Sequence, residues 1–224
     1  MNRFITLTEV SDGKLYKADD LVKAGCGDCL GCSACCESMA DTIILDPFDL
    51  YHLTLGLGAP ITSLMNRSID LGVVDGIVLP HIKMQGAPDR CPFLTGAGRC
   101  SIHKFRPGFC RLFPLGRYYE NRSFSYFLQV KECRRQNRTK VKVRKWIGIP
   151  DFDRYETFIC DWHYFLKDLQ DPLSKKGPEW AKQVNLLILN EMIFKPYDAN
   201  QDFYPQFYDR LKSVSTTLQA ASTL

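Results

Sequence analysis

Residues 26–36 read Cys26-Gly27-Asp28-Cys29-Leu30-Gly31-Cys32-Ser33-Ala34-Cys35-Cys36, five cysteines in eleven positions. Two residues separate each of the first four, a spacing that lets a tight turn aim neighbouring thiolates at one metal. The iterated spacing is partly that of bacterial ferredoxins, which place three residues before the last cysteine and a proline after it. Cys35 and Cys36 are adjacent, and in extended backbone successive side chains point to opposite sides. The pair is therefore expected to serve two sites or to leave one member without metal. A zinc ion and a four-iron cluster each take four protein ligands. The chain offers more at Cys91, Cys100, Cys110 and Cys133, so one site with spares and two sites both fit.

Disulfides are the competing use of ten cysteines. The amino terminus turns polar and acidic within its first residues and lacks the apolar segment and small-residue cleavage site of a secretory signal. The chain is thus expected to be cytoplasmic, where thiols stay reduced. No apolar run approaches the ~20 residues that cross a bilayer; Val184–Leu189 is short and flanked by Gln183 and Asn190. A composition 45% hydrophobic supports a real core. The net charge of +4 is too mild to imply a polyanionic partner.

Outward from the cysteine run, residues 1–25 read as a lead, with a short strand expected over Arg3–Val10 and a turn at Ser11-Asp12-Gly13. Thr42–Leu45 is β-branched and apolar. Asp46-Pro47 reads as an N-cap with proline at the first helical position, and the helix is expected to stop at Gly56. Pro60–Arg67 reads as another short helix. Ile69–Val74 and Ile77–Lys83 form an expected hairpin around Asp75-Gly76, with Pro80 marking its second arm as an edge. Leu115–Tyr119 and Ser123–Val130 read as a second hairpin around Glu120-Asn121-Arg122. From Asp151, Tyr155, Phe158, Ile159, Trp162, Leu166 and Leu169 repeat at helical spacing. A break is expected at Pro172–Gly177, then a helix from Pro178 to about Phe194, and a last one around Phe207, Leu211 and Val214. These aromatic stripes read as core packing. The fold expected is α+β: a small cysteine-rich metal-binding domain of short hairpins and helices over 26–145, followed by a helical C-terminal extension over 146–224.

The second cysteine block runs Cys91-Pro92-Phe93-Leu94, a turn at Thr95-Gly96-Ala97-Gly98, Cys100-Ser101-Ile102-His103, Arg106-Pro107 and Cys110-Arg111-Leu112-Phe113-Pro114. Together with Cys29-x2-Cys32-x2-Cys35-Cys36, this order resembles the YkgJ-type CxxCxxCC proteins, described as zinc- or iron-chelating domains and related to flagellin lysine N-methylase. The resemblance covers residues 29–133. It implies a metal set of Cys29, Cys32, Cys35, Cys36, Cys91, Cys100, Cys110 and Cys133, with zinc or iron, or a 4Fe-4S cluster, as the cofactor. Cys26 and Cys160 lie outside the pattern.

Arg106 and Arg111 flank Cys110 and are expected either to place positive charge near the thiolates or to form surface ion pairs. His103 reads as a packing or hydrogen-bonding residue, and His52, His81 and His163 as structural. Lys131–Lys145 carries eight basic residues against one acid, Glu132, and the alternation at Val141–Arg144 suggests a basic strand face. Without interleaved aromatics this reads as a solvated face, so nucleic acid is not the expected partner, which is instead an unidentified protein or substrate. The functional classes left are a metal-binding protein with a structural or redox site, a metal-dependent protein-modifying or redox enzyme, and a zinc-folded interaction module.

Overall fold

The described residues of the computed structural model are 7–27, 32–87, 89–135 and 137–222. They form an α+β fold whose strands make three separate antiparallel pairs. The first described element is helical rather than extended: α1 (Leu7–Val10) replaces the end of the strand expected over Arg3–Val10, whose first residues lie outside the described segments. Ser11 Oγ donates to Leu7 O at 2.6 Å and accepts from Gly13 N at 3.0 Å, which ties the expected turn to this helix.

Two short strands pair across most of the cysteine domain. β1 (Leu21–Gly25) runs antiparallel to β6 (Thr139–Lys142), with Leu21 opposite Lys142, Val22 opposite Val141 and Gly25 opposite Thr139 across an irregular register. A Cβ at Gly25 would strike the Thr139 side chain, so this close approach requires glycine. The basic strand face expected over Val141–Arg144 is cut short, because Val143 opens a short helix, α5 (Val143–Ile147), whose Val143 and Ile147 are fully buried.

The Asp46-Pro47 start is as expected, with a full capping box. In α2 (Pro47–Leu57) Asp49 N donates to Asp46 Oδ1 at 2.8 Å, and Asp46 N returns a bond to the Asp49 carboxylate at 3.3 Å. The helix does not stop at Gly56, where a Cβ would collide with the Phe105 ring; Gly56 is there for close packing. It ends two residues later, at Gly58 with φ +61°, where Gly58 N and Ala59 N donate to Leu55 O and Thr54 O in a Schellman arrangement. After α3 (Ile61–Leu64), β2 (Ile69–Val74) and β3 (Ile77–Ile82) form the first hairpin in the expected register. Both turn residues, Asp75 and Gly76, have positive φ. Pro80 sits in the ladder opposite Leu71, and its carbonyl accepts from Leu45 N, so residues 43–45 cover the edge that it marks.

α4 (Gly108–Leu112) precedes the second hairpin, β4 (Leu115–Glu120) and β5 (Ser123–Leu128), which turns at Asn121 and Arg122, again both at positive φ. The helical region holds α6 (Phe152–Lys175), α7 (Pro178–Ile188) running into a π-helical turn at Leu189–Phe194, and α8 (Phe203–Ser222). α6 passes through Pro172 rather than breaking there. Leu169 and Leu173 are both buried on its inner face, so packing on either side of the proline offsets its missing N–H.

One apolar core joins these parts. Phe48 of α2 touches Tyr155 and Phe158 of α6 and Phe203 and Tyr204 of α8, at centroid distances of 5.2–5.9 Å. Among the described residues no helix is long and apolar enough to cross a membrane.

Candidate metal centre

Backbone pairing between the two cysteine blocks builds the centre. Cys35 and Cys36 lie on a single 3-10 turn, Ala34–Cys36, closed by Cys36 N donating to Ser33 O at 2.7 Å. Glu37 bridges Arg90, Ser38 N donates to Asp89 O, and Cys91 N donates to Cys36 O at 2.8 Å. Cys36 and Cys91 are thereby held side by side. The Thr95–Arg99 turn then folds the chain back, with Leu94 bridging Cys100 and Ser101 N donating to Phe93 O. Cys110 arrives on α4, which Pro107 starts.

The result is a cavity of about 70 Å³ lined by Cys32, Cys35, Cys36, Cys91, Cys100 and Cys110. Its remaining wall is largely apolar and includes Phe109, Phe113 and Trp146. Adjacent Cys35 and Cys36 do not diverge to opposite sides as extended backbone would make them; the 3-10 turn presents both to this cavity. Cys133 does not line it. Cys133 borders a smaller, neighbouring cavity together with Cys26, Cys32 and Cys35. Cys29 lies outside the described residues. Among the described residues no cysteine is joined in a disulfide. Among the described residues, no three His, Cys, Asp or Glu side chains already stand as a finished metal-holding group, so a metal would have to draw the thiols inward.

The thiols of this cavity shift one another's protonation. The hydrogen bond from Cys36, aided by the Arg106 guanidinium, pulls Cys35 down to about 7, whereas Cys36 is pushed far up by the same pairing and by burial. Burial raises Cys91, Cys100 and Cys110, and each is raised further by neighbouring thiolates; Arg106 opposes the rise at Cys100. Several soft, half-buried sulfurs that cannot all ionise together fit a thiophilic cation, whose charge removes the repulsion. Of the two arginines, Arg106 lines the cavity beside His103, which it contacts through its guanidinium. Arg111 instead braces the loop, donating from Nε to Arg106 O at 3.0 Å and from Nη2 to Lys104 O.

The remaining histidines serve packing. Burial lowers both His52, edge-on to Phe48, and His163, stacked on Tyr119, to about 4. His81 Nδ1 meets Ile82 O at 3.1 Å. Cys160 Sγ donates to Arg122 O at 3.3 Å, away from either cavity.

Behind Cys110 stands a buried polar group that the cysteine pattern does not reveal. Asp49 Oδ1 accepts from Gly108 N at 2.6 Å, which fastens the start of α4 to α2. Burial and the proximity of Asp46 hold the Asp49 carboxyl well above the usual carboxylate range, and Asp46 is raised to about 6, chiefly by burial. Arg117, donating to the Tyr155 hydroxyl at 3.1 Å, supplies the positive charge nearby. An acid three residues after an acidic N-cap was the visible signal for this arrangement.

A methyl group at Gly108 would strike the Tyr155 hydroxyl. Gly108→Ala is therefore expected to cost about 1–3 kcal/mol by overpacking and to misplace Cys110 two residues on, as read by urea denaturation and metal content together. The basic segment should not matter in this way. Lys142 and Arg144 pair with the exposed Asp19 at 3.2 and 3.1 Å, and neither they nor Lys140 line either cavity. Reversing Lys140, Lys142 and Arg144 to Glu is expected to leave metal per chain unchanged, and loss of metal with intact circular dichroism would contradict that.

Compared with known proteins, residues 28–134 match the family model described as "CxxCxxCC: Putative zinc- or iron-chelating domain". No curated protein matches the chain, and no solved structure does.

Proposed function

We propose, on the premise that residues 28–134 belong to the CxxCxxCC family, that this chain binds zinc or iron in the cavity lined by Cys32, Cys35, Cys36, Cys91, Cys100 and Cys110. One observation carries the reading: two sequence-distant cysteine blocks meet on a single cavity. In that centre the thiols would give up protons to hold the metal. Arg106 would balance the thiolate charge, and Phe109, Phe113 and Trp146 would limit access of water. A reducing cytoplasmic setting suits the reading, because the thiols must stay unpaired to bind.

A second reading is an iron–sulfur protein that carries electrons for a protein partner. The room among the thiols supports it. The sulfurs surround about 70 Å³ instead of meeting at a point, several times the roughly 10–15 Å³ that one water requires. The test is elemental analysis of the full chain prepared without oxygen, with acid-labile sulfide measured alongside. Stoichiometric zinc without sulfide supports the first reading, and iron with matching sulfide supports the second. Neither metal at a chain-equivalent level would overturn both.

A further inference from the structure

Strands β1 and β6 place lysine against lysine, where a two-stranded ladder would gain from opposite charges. Val22 and Ala24 are buried on the inner face, so Leu21 and Lys23 point outward; Lys140 and Lys142 share that outer face on β6. Leu21 opposes Lys142, and the irregular register between Val22 and Gly25 sets Lys23 and Ala24 across from Lys140. Like charges directly opposite each other destabilise a strand pair. Asp19 offsets Lys142 and Arg144, but among the described residues no carboxylate pairs with Lys23 or Lys140.

The positive charge continues past the ladder. Residues 131–145 hold eight basic residues against one acid in a chain whose net charge is +4, so the rest of the chain is net acidic. Lysines that only guard a sheet edge would end where the strands end. Here the exposed Arg134 lines, with Arg135, the small cavity that shares Cys32, Cys35, Phe113 and Trp146 with the metal centre. Leu21, 56% exposed, stands among these cations as an apolar foothold. The ladder itself carries no aromatic ring, and nearby Trp146 is half-buried with its Nε1 held by Leu112 O and Phe113 O. That is a poor stacking platform for single-stranded nucleic acid.

We propose that the outer face of the β1–β6 ladder, with the adjoining Arg134–Arg135 rim, docks an extended acidic segment of a partner protein. Carboxylates of the segment meet Lys23, Lys140 and Lys142, which relieves the repulsion built into the ladder, and an apolar side chain of the segment rests on Leu21. The end of the segment that reaches Arg134 and Arg135 lies over the small cavity, so the partner is held beside the metal centre. The surface alone carries this inference. It holds whether the centre takes zinc or iron, so failure of either metal reading leaves it standing.

Fluorescence anisotropy of the full chain tests it with labelled poly-L-glutamate, a glutamate peptide carrying one central leucine, and single-stranded oligothymidylate. Both acidic peptides should bind and should be released as salt is raised. The leucine peptide should bind more tightly, and Leu21→Ser should remove that advantage alone. Lys23→Glu and Lys140→Glu should each weaken binding about fivefold while thermal stability is kept or raised, because each replaces a like pair by an opposite one. Lys182→Glu makes the same charge change at an exposed position on α7 and should leave binding unaltered. Failure of the wild-type chain to bind either acidic peptide would overturn the docking surface. So would equal weakening by Lys182→Glu, or oligothymidylate binding more tightly than both peptides. Metal content measured on the same preparations keeps a failure of the metal centre separate from a failure of docking.

Discussion

Replacing Cys110 with alanine is expected to empty the larger metal centre and to destabilise the chain widely, whereas Cys160→Ala should retain full metal. Cys110 is the thiol brought by α4 to a cavity whose other thiols are Cys32, those of the 3-10 turn at Ala34–Cys36 and those of the Cys91–Cys100 turn. A metal bound by all three segments cross-links chain regions that backbone pairing alone holds together, so its binding free energy is part of the folding free energy. The same loss is expected for Cys91→Ala and Cys100→Ala. Cys160 faces Arg122 O on α6, where a thiol is a small half-buried side chain and its removal costs only packing. Metal per chain in variants handled without oxygen decides the matter. Full metal in the Cys110 variant, or none in the Cys160 variant, would refute the assignment.

The second large effect is expected far from the thiols. Phe158 is fully buried and meets Phe207 at 4.6 Å, Phe203 at 5.3 Å and Phe48 at 5.9 Å between ring centroids. Phe158→Ala should cost about 3–5 kcal/mol, the usual penalty for deleting a buried aromatic ring. Phe48 neighbours Asp49, whose carboxylate fastens α4, so the damage should reach the metal centre as weaker retention against a chelator. Urea denaturation of the metal-free chain separates the two effects. A loss under about 1 kcal/mol would mean that α6 and α8 pack too loosely to support the cysteine region.

What could be read in the sequence depended on whether the signal was local. The Asp46-Pro47 cap, the hairpin turns at Asp75-Gly76 and Asn121-Arg122, and the aromatic stripe of α6 are set by neighbouring residues, and they occur where expected. β1 was illegible because it is short and lies in a polar lead, whereas the alternation at Val141–Arg144 showed part of β6, whose bounds, Thr139–Lys142, are set by its pairing with β1. Gly56 and Pro172 misled for the opposite reason. Each is a local breaker overruled by tertiary packing, against Phe105 in one case and through buried Leu169 and Leu173 in the other.

The candidate site divides along the same line. Six of the cysteines in the two spaced blocks, Cys32, Cys35, Cys36, Cys91, Cys100 and Cys110, line the candidate cavity, while Cys133 does not. Their grouping was not readable, because it depends on the 3-10 turn that swings Cys35 and Cys36 together and on the ladder that sends Cys133 to Cys26. Asp49 as the third residue of the Asp46 cap was visible, but its bond to Gly108 N–H was not, because that partner is a backbone group from a distant segment.

X-ray absorption at the metal edge of the chain prepared without oxygen tests the central claim most directly, since it reads which atoms touch the metal. The account predicts a shell dominated by sulfur, at about 2.3 Å if the metal is zinc. A shell of nitrogen and oxygen alone, at about 2.0–2.2 Å, would contradict it.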